Sequence, residues 1–205
     1  MVNKRVLDSL ICAGAFDCFG RDRSELIAGL ERIIGFSQKA SADRQSGQSD
    51  IFGLDADGPG ETIQFNSVTA WLPAEKLQRE YQVLGFYLSA HPLDSYKAIL
   101  DKKRVQKWSD FSMAVKAGAS AGRLAGTVTG FQQRKTRKGN KMGIVTFSDS
   151  TGQFEAVLFS EALMLYRELL EPGKSLILTV AAEERPEGIG LRIQSLTSLA
   201  QESVQ

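Results

Sequence analysis

The feature that most constrains this chain lies between residues 122 and 200. Leu124-Ala125-Gly126-Thr127-Val128-Thr129-Gly130-Phe131 alternates as a half-buried strand does. Gly143 to Asp149 reads as a second strand, Ser150-Thr151-Gly152 as a turn, and Phe154 to Phe159 as a third strand. From Glu161 to Leu170 the period changes, because Leu163, Tyr166, Leu169 and Leu170 fall at helical spacing and Pro172-Gly173 then breaks the helix. Leu176 to Ala181 and Leu191 to Leu199 are two more strands, joined through Arg185-Pro186-Glu187-Gly188.

Three strands, a helix and two strands is the order of the OB-fold barrel, with the helix plugging its bottom, and few other small folds share it. The expected fold class is α+β: an N-terminal helical segment and a linker, then a five-stranded OB-fold β-barrel. The expected divisions are a helical segment over 1–40, a flexible linker over 41–72, a helical connector over 73–116, the barrel over 117–200 and a tail over 201–205. In the helical segment Asn3 can cap a helix carrying Val6, Leu7, Leu10 and Ile11, and Gly14 can stop it. Asp22 can cap a second helix with Leu26, Leu30, Ile33 and Ile34 on one face. Between residues 41 and 72 no period survives. Pro73 then suits a first helical turn, Leu77, Tyr81 and Leu84 form a face, and Gly85 ends that helix. Pro92 opens another with Tyr96, Ile99 and Leu100 inward, and Trp108 and Phe111 anchor the exit.

Charge and residue counts narrow the chemistry. The net charge of +1 excludes a globally basic nucleic-acid coat, so any such contact must come from a local patch. Two cysteines, Cys12 and Cys18, cannot make a disulfide framework or a four-ligand zinc site, and read as buried small residues. His91, the single histidine, precedes Pro92 at a helix start and reads as a capping or turn residue. No nucleophile elbow or phosphate-binding glycine loop accompanies it. The run Leu176 to Ala182, interrupted by Thr179, is too short to cross a bilayer, and no signal peptide follows Met1. A cytoplasmic protein without membrane contact is expected.

Two stretches could carry function. Arg134, Lys135, Arg137, Lys138 and Lys141 lie between the first two strands with no acid among them. In an OB fold that connection borders the oligonucleotide face, where long cations can follow phosphates. Phe131, Phe147, Phe154 and Phe159 stand in the neighbouring strands, and any that face outward could stack a base. The competing reading is a solvated hairpin tip that keeps an edge soluble. Gln48-Ser49-Asp50-Ile51-Phe52 puts an apolar pair in a polar linker. It can dock in a partner's pocket, with Gln48 fixing orientation, or fold back on the chain's own helices. Glu183, Glu184 and Glu187 read as a solvated turn.

Taken in order, Leu10-Ile11-Cys12-Ala13-Gly14-Ala15-Phe16-Asp17, the peptide at Gln48, Leu84-Gly85-Phe86-Tyr87-Leu88-Ser89-Ala90-His91-Pro92-Leu93 and the basic-tipped barrel resemble one family. It is the C-terminal part of the alpha subunit of bacterial DNA polymerase III, the C-family replicative polymerase. The resemblance implies that residues 1–40 end a helix-hairpin-helix segment contacting duplex primer-template DNA. It implies that Gln48, Ser49, Asp50, Ile51 and Phe52 bind the sliding clamp, the beta subunit; Ser49 stands where many such peptides have Leu. It implies that the barrel lies near single-stranded template, and that other replicase subunits are partners. The family's catalytic aspartates lie in a palm domain far upstream that nothing here matches. The chain is therefore expected to bind and tether without polymerising and to need no cofactor, Mg2+ belonging to the absent polymerase domain. A tau-binding domain is expected to follow the barrel in the family. The alternatives are a free-standing OB module of the tRNA-anticodon-binding type and a protein-interaction scaffold.

Overall fold

The computed structural model describes residues 3–46, 63–136 and 139–202, and divides into two units, Met1–Leu88 and Ser89–Gln205. In the first unit α1 (Lys4–Cys12) starts where the Asn3 side chain accepts a hydrogen bond from the Val6 N–H at 2.9 Å. At Gly14 φ is +88°, and a Cβ there would collide with the Arg23 guanidinium, so both backbone and space require glycine. The second expected helix is two. α2 (Arg23–Ala28) and α3 (Leu30–Ser46) meet at Gly29, where a Cβ would stand 2.6 Å from the Phe65 ring. Asp22 precedes α2 but its side chain makes no capping bond. Leu7, Ile11, Leu26 and Leu30 form the apolar core of this unit.

Two expectations about the linker are corrected. α3 continues to Ser46, past the boundary expected at residue 40. Residues 63–72 pack on the helices although they have no helix or strand: Arg32 donates to the Gln64 carbonyl at 2.8 Å and to Asn66 Oδ1 at 3.1 Å. Arg21 lies over the Phe65 ring and Arg79 over the Trp71 ring, at 4.8 and 4.2 Å from the ring centres. Sequence reading undervalues such a segment because cation–ring contacts carry no period.

α4 (Pro73–Leu84) ends at Gly85, whose φ is +79°. Leu77, Tyr81 and Leu84 are half-buried, whereas Glu80 is fully buried. One Glu80 oxygen accepts from the Leu88 N–H at 2.7 Å, and the other is 3.3 Å from Arg23. Arg23 also donates twice to Asp17, at 2.8 and 2.6 Å, and to the Cys12 carbonyl at 2.9 Å. One buried guanidinium thus joins the end of α1, the turn at Asp17, α2 and α4. Cys12 is buried as expected, but Cys18 is exposed.

The second unit opens with a short 3-10 turn, Pro92–Tyr96, capped by His91. The connector expected over 73–116 is therefore divided, with α4 in one unit and α5 (Lys97–Lys102) and α6 (Trp108–Lys116) in the other. Then come β1 (Ala121–Lys135), β2 (Lys141–Asp149), β3 (Gly152–Phe159), α7 (Ser160–Tyr166), β4 (Ser175–Arg185), β5 (Gly188–Ser198) and α8 (Leu199–Glu202). The strands close into a barrel in the order β1-β2-β3-β5-β4. β1 pairs with β4 through its first half and with β2 through its second, bending where the register shifts between Val128 and Gly130. A single parallel pair, Val157 with Arg192, closes β3 on β5. Inside lie Leu124, Val128, Val145, Phe147, Leu158, Leu178 and Val180, and Leu163 of α7 joins them. The expected α+β class with a five-stranded OB barrel is what the chain forms.

Asp149 fastens α6 to the barrel. It accepts from the Trp108 N–H at 2.6 Å and from Thr151 N, Thr151 Oγ1 and Gly152 N at 2.7, 2.7 and 2.9 Å. That carboxylate satisfies an otherwise open N–H at the start of α6 and shapes the β2–β3 turn at once.

Candidate nucleic-acid interface

The period of two along β2 and β3 decides which side chains face water. Val145 and Phe147 point inward and are fully buried, so Met142, Ile144 and Thr146 point out. The register pairs Met142 with Phe159, Ile144 with Val157 and Thr146 with Glu155, which makes one outer surface from two strands. That surface continues across β5 and β4 as an open groove of about 730 Å³. Its floor is Met142, Val157, Phe159 and Ala181, with Glu155 and Arg192 carrying one charge of each sign. Glu183, Arg185 and Glu187 of the β4–β5 hairpin form one wall.

The β1–β2 hairpin borders the other side. The strands extend beyond Phe131, so Arg134, Lys135 and Lys141 are strand residues, all exposed. Pairing continues to Arg134 opposite Met142 and Lys135 opposite Lys141. Arg134 shares the outer face with groove-lining Met142, and its guanidinium donates to Gln132 Oε1 at 3.1 Å. The turn is held by Thr136, whose carbonyl accepts from Gly139 N at 2.9 Å and whose Oγ1 accepts from Asn140 N at 3.1 Å. Arg137 and Lys138 lie outside the described residues.

Of the four phenylalanines, Phe147 and Phe154 belong to the core, stacked at 5.6 Å, and Trp108 also stacks on Phe154 at 5.1 Å. Phe131 is half-buried against that core. Phe159 is 48% exposed and stands on the groove floor, where it can meet a base. Arg185 and Arg192 were not expected. Three glutamates around Arg185 make the turn read as acidic, yet Leu191 and Ile193 pointing inward place Arg192 outside.

His91 caps the Pro92–Tyr96 turn: its Nδ1 accepts from Leu93 N–H at 3.2 Å, and Nε2 lies 3.2 Å from Ser148 Oγ. Burial lowers its pKa from the ordinary 6.5, against the pull of Asp149 and Asp94. Nδ1 as acceptor puts the ring proton on Nε2, which suits a structural role. The peptide Gln48, Ser49, Asp50, Ile51 and Phe52 lies outside the described residues. Among the described residues no helix is long and apolar enough to cross a membrane.

The barrel defines the class, and comparison agrees with it: residues 123–199 match the model of the tRNA anti-codon family, described as an OB-fold nucleic acid binding domain. The relatives are more particular. DNA polymerase III subunit alpha of Caulobacter vibrioides is 35% identical over 184 residues, covering 90% of this chain and 16% of that protein. Subunits of the same name from Vibrio cholerae and Pasteurella multocida are 32% and 30% identical, covering 87% and 97% of this chain but 15% and 17% of theirs. The chain is homologous to a stretch of DNA polymerase III subunit alpha, spans about one sixth of the length of these relatives, and carries its OB-fold match at residues 123–199.

Proposed function

We propose that this chain is the part of a replicative polymerase alpha subunit that holds single-stranded template DNA and tethers the sliding clamp, without itself polymerising. The observation that carries the reading is a basic hairpin beside an open, apolar-floored groove that runs from the start of β2 across β3 onto β5, β4 and their hairpin. OB folds bind oligonucleotides on the face of strands 2 and 3 and between the connections of strands 1–2 and 4–5, and this groove adjoins both connections. The pair Lys135 and Lys141 supports it further. Like charges directly across a ladder destabilise it, which a phosphate between them would relieve and a merely solubilising tip would not need. Residues Gln48 to Phe52 would supply the clamp contact, and the helical segment the contact with primer-template DNA. The chemistry of nucleotide addition, with its Mg2+, is assigned to the far larger remainder of the relatives' length.

The name of the matched family favours one other reading, an RNA-binding OB module of the anticodon type. Titration of labelled single-stranded DNA and RNA of equal length separates the two. Expected is binding to DNA at least as tight as to RNA, with strong salt dependence. With about four phosphate contacts at a slope near −0.7 each, affinity falls roughly fifty-fold between 50 and 200 mM salt. A clear preference for RNA transfers the site to the anticodon reading, and binding to neither transfers it to a protein scaffold.

A further inference from the structure

The two walls of the groove are chemically opposite. Among the described residues the β1–β2 hairpin carries three cations, Arg134, Lys135 and Lys141, and no acid. The β4–β5 wall has two carboxylates, Glu183 and Glu187, against one guanidinium, Arg185. A phosphate backbone is attracted to the first wall and repelled by the second. Between them lies the apolar floor of Val157 and Phe159, which suits base faces and not phosphates.

Arg185 is seated in a way that an ordinary surface arginine is not. Its guanidinium lies against Gly190 on the facing strand: a Cβ at Gly190 would be 2.6 Å from Cζ and 2.7 Å from Nε. Gly190 has no left-handed φ to explain it, since it is absent from the positive-φ glycines of the chain. What glycine supplies there is room for the guanidinium. Glu183 Oε2 accepts from both Nε, at 3.2 Å, and Nη2, at 3.1 Å, fixing the plane. The side chain still keeps 60% of its surface exposed, and Arg185 lines the groove. With its charge offset by a carboxylate and its plane fixed, this guanidinium is built for a flat partner.

We infer that a single strand lies across the groove with its backbone on the β1–β2 hairpin and its bases turned to the β4–β5 hairpin, where Arg185 stacks on a base. The inference rests on the single-strand reading above and names the residue that meets a base. Guanidinium planes stack on unpaired bases in this manner and add a cation–ring attraction to the contact.

The test is anisotropy titration of the full chain with a base-bearing oligonucleotide and with one of the same length whose central nucleotides are abasic. Expected is about a tenfold loss for Arg185→Ala on the base-bearing strand and less than twofold on the abasic strand. Arg185→Lys keeps the charge but not the plane, and should bind as weakly as the alanine variant. Gly190→Ala fills the seat and should weaken base-bearing binding to a similar extent with Arg185 present. Thermal melts confirm folding; all three substitutions lie on an exposed hairpin. Equal loss on both strands, rescue by lysine and a salt slope flattened by about 0.7 would make Arg185 a phosphate contact and overturn the inference. So would parental affinity in Arg185→Ala or Gly190→Ala. A parent chain that binds neither strand instead removes the single-strand reading itself, and the stacking contact falls with it.

Discussion

At the scale of single residues, the chain depends on buried polar groups that hydrophobic periodicity does not reveal. Glu80 sits on α4 between positions that read as an apolar face, yet it is the fully buried member of that helix. Its two oxygens serve Leu88 N–H and Arg23. Replacing it with Gln leaves Arg23 with less charge compensation in a buried site, and should cost about 3 kcal/mol in urea unfolding of the first unit. Arg23→Met together with Glu80→Leu should recover part of that loss; a Glu80→Gln chain as stable as the parent would remove the cluster from the account of this fold. His91 gives a second residue-scale expectation. Burial lowers the folded-state pKa, so the unfolded chain takes up the proton first. Stability from this group is complete above about pH 6.5 and falls as pH drops below that, until the folded ring also protonates. His91→Asn retains a capping acceptor and should flatten the urea midpoint between pH 7.5 and 5.5, where the parent declines. The role of His91 as a cap was legible, because the residue before a proline at a helix start has few alternatives. Glu80 was not, because a partner 57 residues away leaves no local signature.

At the scale of elements, alternation made the barrel legible and left its edges short. Strand identity comes from the period of two. Where β1 and β2 end is set by pairing, which continues through Lys135 and Lys141 with Met142 as the one apolar residue beyond Gly143 to signal it. The same holds for α3, which continues to Ser46 through a run that is small and polar in sequence. The helix expected over Glu161 to Leu170 is shorter, turning from α7 into a 3-10 turn at Arg167–Leu169. The attachment of α6 is a further case, because the residue that holds it is the last of β2, far from α6 in sequence. Asp149 accepts four hydrogen bonds there. Asp149→Ala removes more than an ordinary cap and leaves N–H groups without their acceptor. The expected loss is about 3 kcal/mol, above the range of a simple N-cap deletion. Near-ultraviolet dichroism should report it as well, since Trp108 would lose its fixed stack on Phe154. A change of under 1 kcal/mol with an unaltered spectrum would show that apolar packing of Phe111 and Val115 suffices to hold α6.

At the scale of the whole molecule, the proposed function rests on two weak contacts acting together. A five-residue peptide buries far less than a standard interface, so Gln48 to Phe52 should bind an isolated sliding clamp on the order of micromolar or worse. Held beside DNA by the groove and by the rest of a polymerase, the same peptide acts at a high effective concentration. The separation of the two contacts along the chain makes this testable. Gln48 to Phe52 precede α4, whereas every residue of the groove lies at or beyond the β1–β2 hairpin. Changing Ile51 and Phe52 to Ala should abolish capture by purified clamp and leave single-stranded DNA affinity within twofold of the parent. Changing Arg137 and Lys138 to Ala should do the reverse: clamp capture persists, DNA affinity at low salt falls, and the salt slope flattens by about one to two units. On a primed template loaded with clamp, each double variant should lose retention nearly as severely as both together, because one remaining weak contact cannot hold the chain. Undiminished clamp capture after loss of Ile51 and Phe52 would reject the clamp assignment. Unchanged DNA affinity after loss of Arg137 and Lys138 would leave the hairpin a solvated tip.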